Sequence, residues 1–264
     1  MFPARPAYAQ AHELERVEPL TLSIELGSAL VLFGGALLIP APEACRWCNP
    51  PGFDETLASP APESRRRVVA QLSHVMSTAV VPVLALSALI VPPFVSSAEP
   101  DVHAFENVMI MTESVMLDMA ITHGIKKLVA RKRPAFYYGR EGSSEFAEHP
   151  GEENVSFFSG DTSLPFAATA SAATVGFMRG YPSAPYIAVA GGVLSAAVAV
   201  MRVRADVHWP SDVLTGALVG TAVGIAVPLL LHPRAQASST AGERPLLLTN
   251  VAADSARVDL FGTF

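Results

Sequence analysis

Three short polar segments hold the side chains whose types and spacing could do phosphate chemistry. They are KKLVARKRP (126–134), SFFSGDTS (156–163) and RVRADVHWPSD (202–212). Lys126, Arg133 and Arg202 supply three cations, and several cations around one point suit a phosphate with its charged oxygens. If the three segments converge in the fold, they predict a phosphate-binding site.

The middle segment adds backbone donors. Ser159 and Gly160 precede a predicted helix whose start is marked by Ser163 as a cap and Pro165 as a first-turn proline. The backbone N–H groups at such a start point at an anion, and the positive end of the helix dipole adds to the attraction. The expected result is a cradle for an oxyanion.

The third segment offers a nucleophile. His208 and Asp212 are four residues apart at the start of another predicted helix. If that helix begins near Pro210, the Asp212 carboxylate can reach one ring nitrogen, fix its tautomer and leave the other nitrogen free to attack phosphorus. The alternative is an Arg/His/Asp cluster that only anchors the helix end at a membrane interface.

Composition predicts the elements that hold these residues. Half of the 264 residues are apolar and 16% are charged, which is typical of a polytopic membrane protein. A membrane-spanning helix needs roughly 20 mostly apolar residues, and six candidate windows run approximately over 20–39, 68–90, 107–129, 164–178, 185–203 and 213–231. We therefore expect an all-α membrane protein with about six transmembrane helices; a soluble helical bundle is the alternative.

Alternating helix directions place the three polar segments on the same membrane face.

In the last window, Gly216, Gly220 and Gly224 lie four apart on one helix face, where a neighbouring backbone can approach closely. Packing within the chain is a more common use of such a stripe than dimerisation. Glu113 and Asp118 in the third window should face the bundle interior, since an ionised side chain in lipid is costly.

The expected organisation is an N-terminal polar segment (1–19), a six-helix membrane domain (20–232) and a C-terminal tail (233–264). The net charge of −6 and the lack of a basic stripe with interleaved aromatics argue against a nucleic-acid partner. The oligomeric state stays open.

The only two cysteines, Cys45 and Cys48, lie in the first loop on the same face as the site. They would form a disulfide if that face is oxidising and otherwise remain free thiols.

Together the segments resemble the three-part signature of the type 2 phosphatidic acid phosphatase superfamily. The matching residues are Lys126 with Arg133 and Pro134, the pair Ser159 and Gly160, and Arg202 with His208 and Asp212. The resemblance extends over about residues 20–231 and implies a helical bundle of that type.

It also implies a cofactor-free, metal-independent phosphatase in which a histidine is phosphorylated and then released by water. His208 would be the nucleophile and Asp212 its orienting partner, and the phosphate ligands would be Lys126, Arg133, Ser159, Gly160 and Arg202. The implied substrate is a membrane lipid phosphate or diphosphate, such as phosphatidate, phosphatidylglycerol phosphate or a polyprenyl diphosphate.

Two positions depart from the family pattern. Met201 stands where a serine is usual, and Asp161 stands where the family has the histidine that protonates the leaving group. Asp161 could be protonated and act as the acid, which predicts highest activity at acidic pH and a large loss in Asp161→Asn. The substrate could instead be a diphosphate, whose leaving group needs less protonation, or the chain could bind lipid phosphates without turnover.

Two other histidines could replace the missing acid: His149 in the loop before Asp161 and His123 on the third window. Each is more commonly a surface or packing residue. The excess of Lys and Arg on the site's face points that face to the cytoplasm. The resemblance to bacterial-type lipid phosphatases favours the outer face of an inner (plasma) membrane, which is our expectation.

Overall fold

The computed structural model describes residues 19–97, 99–146, 148–149 and 151–232. In these ranges the chain is helical and contains no strand, only an isolated bridge between Trp47 and Arg131. The helices are α1 Pro19–Leu38, α2 Gly52–Leu57, α3 Glu63–Val75, α4 Val81–Ser96, α5 Pro100–Val129, α6 Pro134–Tyr137, α7 Gly160–Met178, α8 Ala184–Arg204 and α9 Pro210–Leu231. A π-helical turn, Met76–Val80, joins α3 to α4, and a 3₁₀ turn covers Glu141–Ser143.

Within the described ranges, five helical stretches are long and apolar enough to cross a membrane. They are Leu20–Leu38, Glu63–Val95, Pro100–Val129, Ala184–Arg204 and Pro210–Leu231. Each of these stretches coincides with one of the predicted windows or contains it. The prediction of an all-α polytopic protein is therefore confirmed. The remaining window, 164–178, lies within α7, which is helical but is not among these five.

α7 is the inner helix of the bundle. It packs against α9, α8, α5 and α4, while α1 packs along α5. Most α7 residues are buried, and they are largely alanine, serine and threonine. A helix surrounded by other helices does not need a strongly apolar surface, which explains why its window is the weakest in the sequence.

The outer surface of the bundle is apolar. Large aliphatic side chains are exposed along α1, α4, α8 and α9, among them Leu20, Val31, Val83, Leu84, Val193, Leu218 and Leu230. Lipid tails are the solvent in which such a surface is stable. The chain is therefore an integral membrane protein.

The glycine stripe of α9 lies directly against α7. A Cβ atom on Gly216 would lie 2.6 Å from the carbonyl oxygen of Ser159, and Cβ atoms on Gly220 and Gly224 would overlap the carbonyl oxygens of Ser163 and Ala167. The stripe thus serves packing within one chain, as predicted. Its consequence is that the start of α9, with His208 and Asp212, is held beside the start of α7.

The start of α7 differs from the prediction. The helix begins at Gly160 with Ser159 as its N-cap residue, so Ser163 is not a cap and Pro165 lies inside the helix. Tertiary contact explains the earlier start, because the backbone N–H of Ser159 donates to the carbonyl oxygen of Asp212 at 3.1 Å. This bond holds the first turn of α7 against the start of α9.

The two acids of α5 face the interior, as predicted. Glu113 pairs with His232 at 2.8 Å, and Asp118 accepts a hydrogen bond from the Ser163 hydroxyl at 2.6 Å. The predicted division into an N-terminal segment, a membrane domain and a tail stays a prediction. Most of the predicted N-terminal segment and the whole tail from 233 lie outside the described residues, so those two boundaries stay predictions.

Candidate active site

The three polar segments meet at one end of the bundle. Arg133, after α5, lies 3.3 Å from His208, before α9, measured from Nη1 to Nε2. Arg202, at the end of α8, lies 2.9 Å from Asp161 in the first turn of α7. The predicted convergence of the segments is therefore what the fold produces.

His208 is buried between a cation and a carboxylate. Its Nε2 faces Arg133, and its Nδ1 lies 3.5 Å from Oδ2 of Asp212. Burial, followed by the positive charges of Arg133 and Lys126, holds the pKa of His208 well below its ordinary value. The ring is consequently neutral near pH 7 and has a lone pair available for attack.

Asp212 is held by groups other than the ring that it was expected to orient. One oxygen accepts a hydrogen bond from Arg131 at 2.5 Å, and the other accepts from the Ser156 hydroxyl at 2.5 Å and from the Trp209 backbone N–H at 2.9 Å. Nδ1 of His208 makes no hydrogen bond to this carboxylate, and the backbone of Ser156 also interacts with the ring. The carboxylate therefore offers its charge to the ring from a fixed position.

Arg131 connects this carboxylate to a second one. Its Nη2 donates to Asp54 of α2 at 2.5 Å, and its guanidinium lies 3.9 Å from the ring centroid of Trp47. Asp54 also accepts from the backbone N–H and the hydroxyl of Ser211, at 2.8 and 2.7 Å. Sequence reasoning missed Arg131, Ser156 and Asp54. Arg131 and Ser156 carried a signal, because they lie in the first and second polar segments, whereas Asp54 carried none.

The candidate phosphate ligands already have anionic partners. Nη2 of Arg133 donates to the side chain of Glu152 at 2.9 Å. Nη2 of Arg202 donates to Glu145 at 2.7 Å as well as to Asp161. Both glutamates belong to the loop between α6 and α7, so this loop covers the cations on the side away from the helices.

Lys126 and Gly160 lie next to each other. A Cβ atom on Gly160 would be 3.8 Å from Nζ of Lys126 and 3.1 Å from Cγ2 of Thr122. A glycine at this position therefore keeps the first turn of α7 close to α5. The ammonium group and the helix start, where N–H groups have no intrahelical acceptor, face the same region.

Asp161 has an unexpected partner. One of its oxygens bonds Nδ1 of His74 at 2.9 Å, and the other bonds Arg202. Burial acts to raise the pKa of Asp161, but the charge of Arg202, the hydrogen bond with His74 and the charge of Lys126 outweigh it, so the pKa lies below its ordinary value. Asp161 is therefore ionised and holds no proton to donate.

Neither of the two alternative histidines forms a described hydrogen bond with Asp161. The ring of His123 packs against Phe33, with 5.7 Å between the ring centroids. His149 is exposed, and its described hydrogen bonds are made by its backbone. Nothing in the sequence singled out His74, which lies inside the second predicted window.

The loop with the two cysteines packs against the end of α5. Cys45 and Cys48 form a disulfide. Between them, the backbone N–H groups of Arg46 and Trp47 donate to the carbonyl oxygen of Ala130. The disulfide therefore lies on the same face as the site.

Fold and site together define an integral membrane helical bundle with a buried histidine among cations and carboxylates. A model of the PAP2 superfamily, named for type 2 phosphatidic acid phosphatase, matches residues 107–235, which include all three polar segments. The match confirms the predicted resemblance to this superfamily over these residues. It supports phosphatase activity in general.

No curated protein matches the chain. A solved structure that is similar to it is described as the crystal structure of the first transmembrane PAP2 type phosphatidylglycerolphosphate phosphatase from Bacillus subtilis. The sequence identity is 18%, the match covers 79% of this chain and 90% of that chain, and the TM-score is 0.43.

Proposed function

We propose that the protein hydrolyses a phosphate ester or diphosphate carried by a membrane lipid, through a phosphohistidine formed at His208. Phosphatidate, phosphatidylglycerol phosphate and polyprenyl diphosphate are the candidate substrates. The observation that carries the proposal is a buried, neutral imidazole whose Nε2 lies 3.3 Å from the buried guanidinium of Arg133.

In this proposal the substrate phosphate binds among the cations. Lys126, Arg133 and Arg202 bind its oxygens, and Ser159 and the N–H group of Gly160 complete the cradle. The carboxylates of Glu145 and Glu152 balance the cations before the phosphate arrives. A phosphate then exchanges with these carboxylates at the guanidinium groups.

The chemistry has two displacements. Nε2 of His208 attacks phosphorus while the bond to the leaving oxygen breaks, and its electron pair stays on that oxygen. The phosphorylated ring is positively charged, and Asp212, 3.5 Å from Nδ1, stabilises this charge. Water then attacks the phosphohistidine, which releases inorganic phosphate and restores the neutral ring.

Binding of lipid phosphates without turnover is the alternative function. It is favoured by the ionised carboxylate of Asp161 at the position where the family has its acid histidine. Hydrolysis of a diphosphate is a further possibility in which turnover continues without an acid. A phosphate leaving group departs unprotonated more readily than an alkoxide does.

We further propose that the site faces outward from a bacterial-type plasma membrane. The disulfide between Cys45 and Cys48 supports this orientation, since such bonds persist on oxidising faces. In this orientation, part of the excess of Lys and Arg on the same face serves phosphate binding. The arginines at 65–67 would attract anionic lipid headgroups.

The test is phosphate release by the purified protein from the three candidate lipids across pH. We expect release from at least one of them, and we expect His208→Ala to abolish it while the variant still unfolds cooperatively and still binds the lipid. Lipid binding by the wild type without release would establish the non-catalytic alternative. Equal release by the wild type and His208→Ala would contradict the proposal.

A further inference from the structure

We propose that His74 is the proton donor to the leaving group, held in place by Asp161, so that two residues on separate helices replace the single acid histidine of the family. This inference rests on the proposed phosphatase function. It makes His74 the catalytic acid and Asp161 its positioning residue.

The geometry places an imidazole where the motif lacks one. His74, in the last turn of α3, bonds one oxygen of Asp161 through Nδ1 at 2.9 Å. The other oxygen of the same carboxylate bonds Arg202, a candidate phosphate ligand, at 2.9 Å. A single carboxylate therefore links His74 to the phosphate cradle.

The second ring nitrogen of His74 is free to act. Within the described ranges Nε2 makes no hydrogen bond, and 58% of the side chain is exposed, compared with 17% for Asp161. Because an ionised carboxylate accepts hydrogen bonds only, Asp161 requires a hydrogen on Nδ1. Any second ring proton therefore lies on Nε2, and the proposal assigns its transfer to the leaving group.

The charges around His74 come from three packed elements. Asp161 on α7 and Glu145 in the loop before it carry negative charge, and Arg202 on α8 carries positive charge. Asp161 is in direct contact with the ring and stabilises its protonated form. The neighbouring carboxylates thus offset the opposing charge of Arg202.

Protons and electrons balance in the proposed step. When the bond between phosphorus and the leaving oxygen breaks, its electron pair stays on the oxygen, and this oxygen takes the proton from Nε2 of His74. The ring becomes neutral and keeps its hydrogen bond from Nδ1 to Asp161. In the second displacement, Nε2 takes a proton from the attacking water, which restores the starting state.

A purely structural ion pair between α3 and α7 is the competing explanation. The two explanations differ in how they depend on the leaving group. Loss of a general acid slows departure of an alkoxide but has little effect on a nitrophenolate, which is stable without a proton. Loss of a structural contact reduces both rates alike.

The experiment compares His74→Gln with wild type on an alkyl phosphate and a nitrophenyl phosphate, each with a lipid-like tail. We expect kcat for the alkyl ester to fall about 10²- to 10⁴-fold, which is the usual contribution of general acid catalysis. The rate for the nitrophenyl ester should remain within about threefold of wild type. His149→Gln is the matched control, and we expect it to behave as wild type.

Equal losses on the two esters, or no loss on the alkyl ester, would overturn the assignment of His74. If His74→Gln does not fold, Asp161→Asn tests the same idea, because it keeps an oxygen for Nδ1 but removes the charge that stabilises the protonated ring. We expect the same dependence on the leaving group, with a smaller loss. Turnover that is sensitive to His208→Ala tests the proposed function separately, so either idea can fail without the other.

Discussion

At the scale of single residues, the two arginines among the proposed phosphate ligands are bound to carboxylates before any substrate arrives. Arg133 is paired with Glu152, and Arg202 is paired with both Glu145 and Asp161. A buried guanidinium without a partner would be costly, so these acids keep the empty site stable. In the proposed function they also compete with the substrate phosphate for the same N–H donors.

We therefore predict that Glu152→Gln lowers KM for the lipid phosphate. The amide removes a negative charge 2.9 Å from Arg133. An ion pair whose acid is 45% exposed contributes at most about 1 kcal/mol, so the decrease should be about two- to fivefold. Steady-state kinetics would measure it.

The matched control for Glu152 is its neighbour Glu153. Glu153 is similarly exposed, at 43%, but pairs at 3.6 Å with Lys132, which the proposed site does not use. Glu153→Gln should leave KM unchanged. A similar decrease in both variants would mean that overall loop charge, rather than competition at Arg133, controls affinity.

At the scale of helices, the site depends on how closely α9 approaches α7. The glycine stripe allows this approach, and the bond from Ser159 to the Asp212 carbonyl lies at its end. Packed interiors accommodate added volume poorly. A side chain within the stripe should therefore move the histidine segment away from the cation segments.

We predict that Gly220→Ala destabilises the protein by about 1 to 3 kcal/mol and reduces lipid phosphate hydrolysis. Its Cβ atom would overlap the backbone of Ser163, which cannot shift as a flexible side chain can. Thermal unfolding in detergent, alongside the activity assay, would measure both effects.

Gly192 on α8 is the control for this substitution, because a Cβ atom there would meet nothing within 4 Å. Gly192→Ala should be neutral or slightly stabilising, since alanine favours a helix more than glycine does. Unchanged stability in Gly220→Ala would show that the two helices separate without cost.

At the scale of the whole molecule, one end of the bundle carries the site, the disulfide loop and the loop with the two glutamates. The opposite end carries the turn between α7 and α8. The proposed orientation therefore places these two ends on different sides of a membrane.

We predict that a membrane-impermeant maleimide labels Glu148→Cys in intact cells but labels Pro182→Cys only after permeabilisation. Both positions are exposed; Glu148 lies in the loop over the site and Pro182 in the turn between α7 and α8. The wild-type protein should not be labelled, because its two cysteines are bonded to each other. The reverse labelling pattern would place the site in the cytoplasm.

Composition and spacing alone predicted the membrane-spanning helices, the three polar segments and their meeting on one face. These features follow from properties of consecutive residues: apolar length, helix periodicity and the alternation of helix direction across a membrane. The pair His208 and Asp212 was found for the same reason, since four residues of separation is a local pattern.

Only the tertiary structure decided which groups complete the site. Asp54 reaches Arg131 across 77 residues of chain, and His74 reaches Asp161 across 87. No local periodicity relates such positions, because their contact depends on how whole helices pack. The packing of α3, α7 and α8 therefore gave Asp161, which departs from the family pattern, contacts with the His74 imidazole and with Arg202 of the proposed phosphate site.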